Sequence, residues 1–319
     1  SEFHPDVILA TDMLDVSTFL SLTRERTAGI PVVLYMHENQ LTYPLPEDPE
    51  TGPMRRQHGE RDLHYAFINY ASMLSADRVV FNSEFHLRSF FDALPGFLKH
   101  FPEFREEQTV GHLKERSQVL PVGLDLEGLK STAGPTERKV PLILWNQRWE
   151  YDKNPEAFFR AMLALADDGV PFELAVCGES FQQPPEIFDR AAQRLNRQVI
   201  HWGYARQDHY RQLLWDATLT VSTALHEFFG ISILEAAFCE TLPLVPKRLS
   251  YPEILPPEFH EPCLYASEDE LLERLKQVLR NPRSLRKTAR ALATKVGAYH
   301  WKQWAPEYDR LLEETKSAR

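Results

Sequence analysis

The sequence predicts an α/β protein with two doubly wound, Rossmann-like domains. Short apolar runs rich in β-branched residues alternate with helix-length patterns, as expected for buried parallel strands joined by helices. The alternation stops once, at a segment over residues 125–141 that carries Gly, Pro, Ser and Thr, and then restarts. At 319 residues the chain is long enough for two domains with separate cores.

These observations set the predicted domain limits. We predict an N-terminal domain over residues 1–127, a linker over residues 128–140 and a C-terminal domain over residues 141–285. Residues 286–319 are predicted to form C-terminal helices that cross back to the N-terminal domain.

Four strands and a helix are predicted in the N-terminal domain. The strands are VILAT (7–11), VVLYMHE (32–38), RVVFNS (78–83) and QVLPVG (118–123). A helix between the second and third strands has apolar residues at the spacing of one helix face, namely Leu63, Ala66, Phe67, Tyr70 and Leu74.

The strand pattern recurs in the C-terminal half. The runs are LILW (142–145), FELAVCG (172–178), VIHWG (199–203), ATLTVST (217–223) and LPLVP (242–246). Ligands bind beyond the carboxyl ends of the strands in such sheets. The residues that follow each run are therefore the candidates for a functional site.

Composition limits the classes of function. No apolar run approaches the roughly 20 residues that span a bilayer, and the N-terminus lacks the pattern of a secretory signal. We therefore expect a cytoplasmic protein without a membrane partner. Cys177, Cys239 and Cys263 are far apart in apolar contexts, which predicts reduced, buried thiols and neither a disulfide framework nor a thiolate metal site.

The charge of the chain is segregated. Its net charge is −10, which by itself speaks against a polyanionic partner, but residues 274–295 contain eight Lys or Arg residues and no Asp or Glu. Such a segment forms either a solvated helix face or a surface that contacts nucleic-acid phosphates. The cations considered for such contacts are Arg283, Arg286, Lys287 and Arg290.

Two cations follow the first strand of the C-terminal domain. Arg148 and Lys153 flank a turn, and Asn154 with Pro155 is typical of a helix start. Cations beside free helix-terminal amides suit an anionic group such as a diphosphate. Alternatively, both are surface cations that pair with the neighbouring Glu150 and Asp152.

Glycines end the next two strands of this domain. Gly178 and Gly203 allow either a tight turn or the close approach of a ligand, and Tyr204 follows directly. Turn chemistry alone is sufficient to account for them.

The segment HEFFGISILEA (226–236) carries two glutamates on either side of Gly230. Gly230 would let the chain enter a helix over residues 231–239 with its first amides accessible. A carboxylate can accept hydrogen bonds from two neighbouring hydroxyls, so Glu227 and Glu235 could hold two sugar rings. Alternatively, both are charge partners of helix termini.

Arg148 with Lys153, followed by Glu227 and Glu235 with seven residues between them, resembles the C-terminal domain of retaining nucleotide-sugar glycosyltransferases of GT-B architecture, of the family-4-like E-x7-E type. That resemblance implies a cleft between two Rossmann-like domains. It implies that Arg148 and Lys153 hold the donor diphosphate and that Glu235 takes the nucleotide ribose. The transferred sugar would face Glu227 and the backbone of Phe228, Phe229, Gly230 and Ile231, and the base would lie near Gly178, Gly203 and Tyr204.

The N-terminal half narrows the resemblance. HENQLTYP (37–44), RDLHYAFINYASMLSADRVVFNSEFHLRSF (61–90), NQRWEYDKNPEAFF (146–159) and LSYPEILP (249–256) are similar to the tRNA-queuosine α-mannosyltransferase family, from about residue 32 to the C-terminus. The family implies GDP-mannose as donor, the cyclopentene-diol of queuosine in tRNA as acceptor, an α-configured product and no required metal or other cofactor.

The same resemblance suggests residues of the N-terminal domain. His37, at a strand end, is the candidate for contact with the transferred sugar or the acceptor hydroxyl, with Glu38 and Asn39 beside it. Ser83 would either meet the donor phosphate or cap the next helix. A loop over residues 48–61 of mixed charge could become ordered on tRNA through Arg55, Arg56 and Arg61.

The chain departs from the resemblance at its start. No strand and glycine-rich turn precede residue 7, so we expect the first βαβ portion of the N-terminal domain to be missing. Three other functions compete with the main interpretation: a GT-B α-glycosyltransferase with a lipid or small-metabolite acceptor, a non-catalytic RNA- or protein-binding GT-B remnant, and a GT-B epimerase or phosphorylase, for which the sequence offers no additional acid/base residue or cofactor-anchoring lysine. The presence of Arg148, Lys153, Glu227 and Glu235 together favours catalysis.

Overall fold

The structure of the protein is a computed structural model that describes residues 4–44, 47–48, 52–53, 63–101, 103, 106–131, 134–136, 138–179 and 185–318. The chain forms two compact units, Ser1–Gly123 with Lys302–Arg319, and Leu124–Trp301. These units are regions of dense internal contacts and do not define a linker, so the predicted linker and domain limits stay a prediction.

The strands have the following bounds: β1 Ile8–Thr11, β2 Val32–Met36, β3 Glu47–Asp48, β4 Gly52–Pro53, β5 Arg78–Phe81, β6 Ser117–Val119, β7 Leu142–Asn146, β8 Glu173–Cys177, β9 Val199–Gly203, β10 Leu219–Val221, β11 Leu242–Pro246 and β12 Leu264–Tyr265. The helices are α1 Val16–Leu22, α2 Arg24–Thr27, α3 Leu63–Ser75, α4 Glu84–Leu98, α5 Thr109–Glu115, α6 Pro155–Asp167, α7 Ile187–Arg194, α8 Gln207–Asp216, α9 Ile231–Phe238, α10 Tyr251–Ile254, α11 His260–Cys263, α12 Glu268–Arg280, α13 Arg286–Val296 and α14 Trp301–Ser317.

The first unit contains a parallel sheet in the order β1-β2-β5-β6, which confirms the predicted strands. The sheet is covered on both faces, because alternate residues of a strand point to opposite sides. Leu34 and Phe81 pack with Phe90 of α4 on one side, whereas Val33 and Val80 pack with Leu311 of α14 and its neighbours on the other.

The predicted helix is present as α3, but its predicted apolar face is partly wrong. Phe67 and Leu74 are 47% and 36% exposed, whereas the polar residues Asn69 and Ser72 are buried. The reason is hydrogen bonding: Asn69 Nδ2 donates to the Asp12 carbonyl oxygen over 3.3 Å, and Ser72 Oγ accepts from the Val16 amide over 3.1 Å. The helix is therefore turned to satisfy backbone groups that a hydrophobic pattern does not reveal.

The second unit contains a parallel sheet in the order β12-β11-β10-β7-β8-β9. The five predicted strands of this half are confirmed, and β12 is an addition that is too short for a recognisable pattern. All strands run the same way, so their carboxyl ends form one edge of the sheet. The two parallel α/β units confirm the predicted fold class.

No helix in the described part of the chain is both long and apolar enough to cross a membrane.

Candidate active site

The loop after β7 positions the first two predicted residues. Asn154 adopts a left-handed conformation (φ 51°), and its side chain accepts a hydrogen bond from the Ala157 amide over 3.3 Å. Pro155 begins α6, which confirms the predicted helix start. The short 3-10 turn Tyr151–Lys153 before this cap turns the Lys153 side chain inward, where it is 9% exposed.

Lys153 connects this loop to the glutamate segment. Its Nζ donates to the His226 carbonyl oxygen over 2.9 Å and lies 3.4 Å from Glu227 Oε2 and 3.2 Å from Asp152 Oδ2. Burial alone lowers the pKa of Lys153, but the carboxylates of Glu227 and Asp152 outweigh it, so the pKa is raised and the ammonium stays charged. Lys153 thus has the predicted pairing with Asp152, yet it is a buried cation and not a surface one.

Glu227 lies between Lys153 and the start of α9. Its Oε1 accepts a hydrogen bond from the Phe229 amide over 3.2 Å, and its side chain is 21% exposed. The rings of Phe228 and Phe229 are buried. Phe228 and Phe229 can therefore offer a ligand their backbone groups more readily than their rings.

Gly230 begins α9 in a left-handed conformation (φ 99°), as its position before the helix predicts. A Cβ at this position would lie 3.1 Å from Ile254 Cδ1 and 3.3 Å from Tyr251 Cε1. Glycine offers no side chain to cap the helix, so the first amides of α9, from Ile231 onward, keep donor capacity beside Glu227. A helix terminus, a buried ammonium and a carboxylate are thus combined at the carboxyl ends of the neighbouring strands β7 and β10.

Arg148 adds positive charge to this group. Its side chain is exposed, and its charge acts on both Lys153 and His226. His226 itself is buried, with its ring 4.4 Å from that of Phe228. Burial and then the charge of Lys153 lower the pKa of His226 to about 4, so its imidazole is neutral at physiological pH.

Glu235 lies on α9 and takes part in a separate network. Tyr210 of α8 donates to Glu235 Oε2 over 2.8 Å, and Asn146 Nδ2 donates to the Tyr210 hydroxyl over 3.2 Å. Asn146 is fixed in turn, because its Oδ1 accepts from the Thr220 hydroxyl over 2.9 Å. Burial raises the pKa of Glu235, and the hydrogen bond from Tyr210 opposes this effect.

The glycines at the ends of β8 and β9 differ from each other. Gly178 (φ 132°) lies so close to the Gln147 carbonyl oxygen that a Cβ would collide with it, which is a packing requirement between two strand ends. Gly203 (φ 110°) has no atom within 4 Å of a Cβ position, and Tyr204 beside it is 67% exposed. Open space at Gly203 and Tyr204 leaves room for a ligand, whereas Gly178 is accounted for by packing.

His37 of the first unit has a partner that the sequence did not indicate. Asp12, directly after β1, has a side chain only 2% exposed, and its Oδ1 lies 2.8 Å from the His37 backbone nitrogen and 3.2 Å from Nδ1. The His37 ring is 48% exposed. The rule that selects residues at strand ends picks out His37, and applied to β1 it would also have found Asp12.

The neighbours predicted with His37 are more enclosed. Glu38 is half-buried, and Asn39 is fully buried with its Oδ1 accepting from the Leu41 amide over 2.9 Å. Ser83 is buried and accepts from the His86 amide over 3.0 Å, which is the predicted capping geometry for α4. Their roles in substrate binding stay predictions.

The cations predicted to contact tRNA are outside these groups. Arg55, Arg56 and Arg61 lie outside the described residues. Arg283, Arg286, Lys287 and Arg290 are exposed on the 3-10 turn Pro282–Leu285 and on α13. Arg290 pairs with Glu240 at 3.3 Å, whereas Arg283 and Arg286 line a crevice with Pro141, Thr218 and Leu242. Pro141, Thr218 and Leu242 lie at the amino ends of β7, β10 and β11. The crevice is therefore at the opposite edge of the sheet from Glu227, which follows the carboxyl end of β10.

Two further residues of the site, Tyr210 and Asn146, were not predicted. Asn146 ends β7 and falls under the strand-end rule, but Tyr210 is inside α8 and has no local signal. Within the described residues, no cluster of three or more His, Cys, Asp or Glu side chains is arranged to hold a metal ion.

Two protein-family models match the chain. Residues 1–124 match a model described as tRNA-queuosine alpha-mannosyltransferase N-terminal, and residues 131–295 match one described as glycosyl transferases group 1. A tRNA-queuosine alpha-mannosyltransferase of Drosophila melanogaster is 34% identical over 289 residues, which cover 88% of this chain and 73% of the relative.

Solved structures show the fold. A sucrose-phosphate synthase from Thermosynechococcus elongatus matches with a TM-score of 0.71 and 16% identity, over 98% of this chain and 74% of that one. A trehalose-6-phosphate synthase matches with a TM-score of 0.66 and 14% identity, over 97% of this chain and 74% of that one. The chain therefore has the GT-B fold of these glycosyltransferases.

Proposed function

This chain belongs to the tRNA-queuosine alpha-mannosyltransferase family, and we propose that it transfers mannose from GDP-mannose to the queuosine base of tRNA, with retention of configuration and without a metal ion. The observation that carries the proposal is the 34% identity to the fly enzyme over 88% of the chain. The choice of guanine over other bases follows from this family membership.

The site geometry supports binding of a nucleotide sugar. A leaving diphosphate needs positive charge and N–H donors that are in place before the reaction. Lys153, Arg148 and the start of α9 supply both at one edge of the second sheet. Because Glu227 and Asp152 keep Lys153 protonated, the ammonium does not depend on the ligand for its charge.

The two glutamates are suited to hydroxyl groups. Glu227 uses Oε1 for the Phe229 amide and Oε2 for Lys153, and each oxygen has a second lone pair that can accept from a sugar hydroxyl. Glu235 has the same capacity beside its bond from Tyr210. We assign Glu227 to mannose and Glu235 to the ribose of the nucleotide.

The proposed chemistry is a displacement on one face of the mannose. The bond from the anomeric carbon to the diphosphate breaks while the acceptor hydroxyl bonds to the same face, and the proton of that hydroxyl passes to the departing diphosphate. The protein stabilises the leaving group through Lys153 and Arg148 and orients the acceptor, with His37 of the first unit as the residue proposed to contact the transferred sugar or that hydroxyl.

The decisive experiment is transfer of labelled mannose from GDP-mannose to tRNA that contains or lacks queuosine. We expect label only in the queuosine-containing tRNA. Tight GDP-mannose binding without incorporation into either tRNA would overturn the acceptor assignment and direct the search to lipid and small-metabolite acceptors.

Two further measurements test the finer points. Activity should persist after exhaustive treatment with a chelator if no metal takes part. The mannosyl-nucleoside released from the product should be cleaved by an α-mannosidase and resist a β-mannosidase, and the reverse pattern would contradict retention.

A further inference from the structure

Asp12 is a buried carboxylate held in place from several sides. Its backbone amide donates to the Tyr35 carbonyl oxygen over 3.1 Å, and its own carbonyl oxygen accepts from Asn69 Nδ2 over 3.3 Å. The register Thr11↔Tyr35 puts Asp12 level with Met36, the last residue of β2, so its side chain reaches His37 at the next position of that chain. Asp12 therefore has little freedom to move away from the imidazole.

The contact between Asp12 and the His37 ring has a chemical consequence. Asp12 Oδ1 already accepts the His37 backbone N–H over 2.8 Å, and the same oxygen lies 3.2 Å from Nδ1. A carboxylate can only accept hydrogen bonds, so Nδ1 must carry the proton in this contact. In a neutral imidazole the lone pair is then on Nε2.

The rest of the His37 environment leaves this lone pair usable. One side of the ring lies against Tyr35, with ring centroids 4.7 Å apart, and Asn82 Nδ2 donates to the His37 carbonyl oxygen over 3.2 Å. These contacts fix the ring and the backbone, while 48% of the side chain remains exposed.

We propose that Asp12 is the positioning residue of His37, holding the Nδ1–H tautomer so that Nε2 accepts a hydrogen bond from a substrate hydroxyl. The hydroxyl belongs either to the mannose of the donor or to the cyclopentene-diol of the acceptor. This inference rests on the proposed function for the identity of the substrate, but the tautomer itself does not depend on it.

A structural role for Asp12 makes different predictions. Accepting the His37 amide closes the end of the β1-β2 pair, and a residue with that role alone would stabilise the fold whatever the imidazole does. Loss of Asp12 and loss of His37 would then have independent, additive effects on activity. If Asp12 acts through the imidazole, removing Asp12 from a protein that already lacks His37 changes nothing further.

The first test reads the tautomer by nitrogen NMR of protein labelled at its twelve histidines. The His37 signals are identified by their absence from H37A, and the spectrum is recorded at about pH 9, where an ordinary imidazole is neutral. We expect the Nδ1–H tautomer. An Nε2–H or doubly protonated ring would overturn the proposal.

The second test is a double-mutant cycle on mannose transfer with D12A, H37A and D12A/H37A. We expect D12A to lower kcat/KM about 10- to 100-fold, the size of loss that follows when the hydrogen-bond partner of a metal-bound imidazole is removed, and the double variant to match H37A. Additive losses would overturn the proposal. D12N provides the rescue. The backbone N–H of His37 should hold the Oδ1 of the new asparagine in the place of Asp12 Oδ1, so the Nδ1–H tautomer and most of the activity should be kept.

The source of the hydroxyl is read from binding. If the hydroxyl belongs to mannose, D12A weakens the binding of GDP-mannose but not that of GDP. If the hydroxyl belongs to the diol, D12A raises only the KM for tRNA. A D12A protein unchanged in both would refute the inference. If the wild-type chain transfers no mannose, the proposed function fails, while the NMR measurement and the comparison of GDP-mannose with GDP still decide the role of Asp12.

Discussion

Tyr210 donates its hydroxyl proton to Glu235 Oε2 over 2.8 Å, which joins a helix interior to the carboxylate proposed to bind the ribose. The hydroxyl in turn accepts from Asn146, at the end of β7. One carboxylate of the pair Glu227 and Glu235 is therefore oriented by a tyrosine and the other by a lysine. This difference gives the two glutamates different responses to pH and to mutation.

The first prediction concerns Y210F and the pH dependence of donor binding. Burial raises the pKa of Glu235, and the Tyr210 hydrogen bond holds it down, so removal of the hydroxyl should raise the pKa further. Since a ribose is held by the ionised carboxylate, affinity falls as the pH drops through this pKa. In Y210F, the affinity for GDP-mannose should therefore begin to fall at a higher pH than in the wild type. Binding at neutral pH should be roughly tenfold weaker.

Calorimetric titration at several pH values checks this shift. The titratable side chains that interact with the pair include Cys239, directly after α9, and Cys177 of β8, whose thiols burial keeps protonated. Y308F serves as the control, because Tyr308 donates to the Pro121 carbonyl oxygen over 3.1 Å in the other unit. A pH profile identical in Y210F and Y308F would contradict the role given to Tyr210.

The second prediction separates the structural from the catalytic role of Lys153. K153M leaves the carboxylates of Glu227 and Asp152 without their ammonium, which should destabilise the protein by about 3 kcal/mol. K153M/D152N removes one of these charges at a residue with no proposed substrate contact and should recover part of the thermal stability. Activity should stay at least about 10²-fold below wild type in both variants, because the diphosphate has lost its buried cation.

Thermal melts beside transfer assays test this pair of variants. Activity that returned together with the melting temperature in K153M/D152N would show that Lys153 serves the fold alone.

The third prediction uses Arg148 as a matched cation at the surface. Its side chain is exposed, so R148M should melt within a few degrees of wild type, as is usual for surface substitutions. We nevertheless expect kcat to fall by about 10²- to 10³-fold if Arg148 stabilises the leaving diphosphate. Unchanged kcat in R148M would remove Arg148 from the site.

The fold could be predicted further than the site. Apolar runs such as 32–38 and 142–145 become strands because a buried parallel strand needs continuous hydrophobicity. The strand-end rule found Lys153, Glu227 and His37 for the same topological reason. The face of α3 was partly wrong, and Tyr210 was missed, because both depend on hydrogen bonds to residues far along the chain.

The fourth prediction concerns the entry to α9. G230A forces alanine into φ 99° and against Ile254 and Tyr251, so we expect a loss of about 1–3 kcal/mol in the free energy of unfolding. G169A is the control, since Gly169 also has positive φ (68°) but has no atom within 4 Å of a Cβ position. Denaturant titration should show the larger loss in G230A, and equal losses would mean that the neighbours of Gly230 yield without cost.

The last prediction tests the basic segment of the second unit. Two of its cations pair with carboxylates: Lys276 Nζ lies 3.0 Å from Asp168 Oδ2, and Arg274 Nε lies 2.8 Å from Glu270 Oε1. Arg283 and Arg286 are exposed beside the crevice at the amino ends of the strands, where contact with tRNA phosphates is predicted. R283A/R286A should weaken tRNA binding at low salt and reduce the slope of log affinity against log salt by about two. The matched control R274A/K276A removes two cations of the same segment that do not line this crevice and should leave the slope nearly unchanged, so an equal slope in both double variants would identify the segment as a solvated helix face.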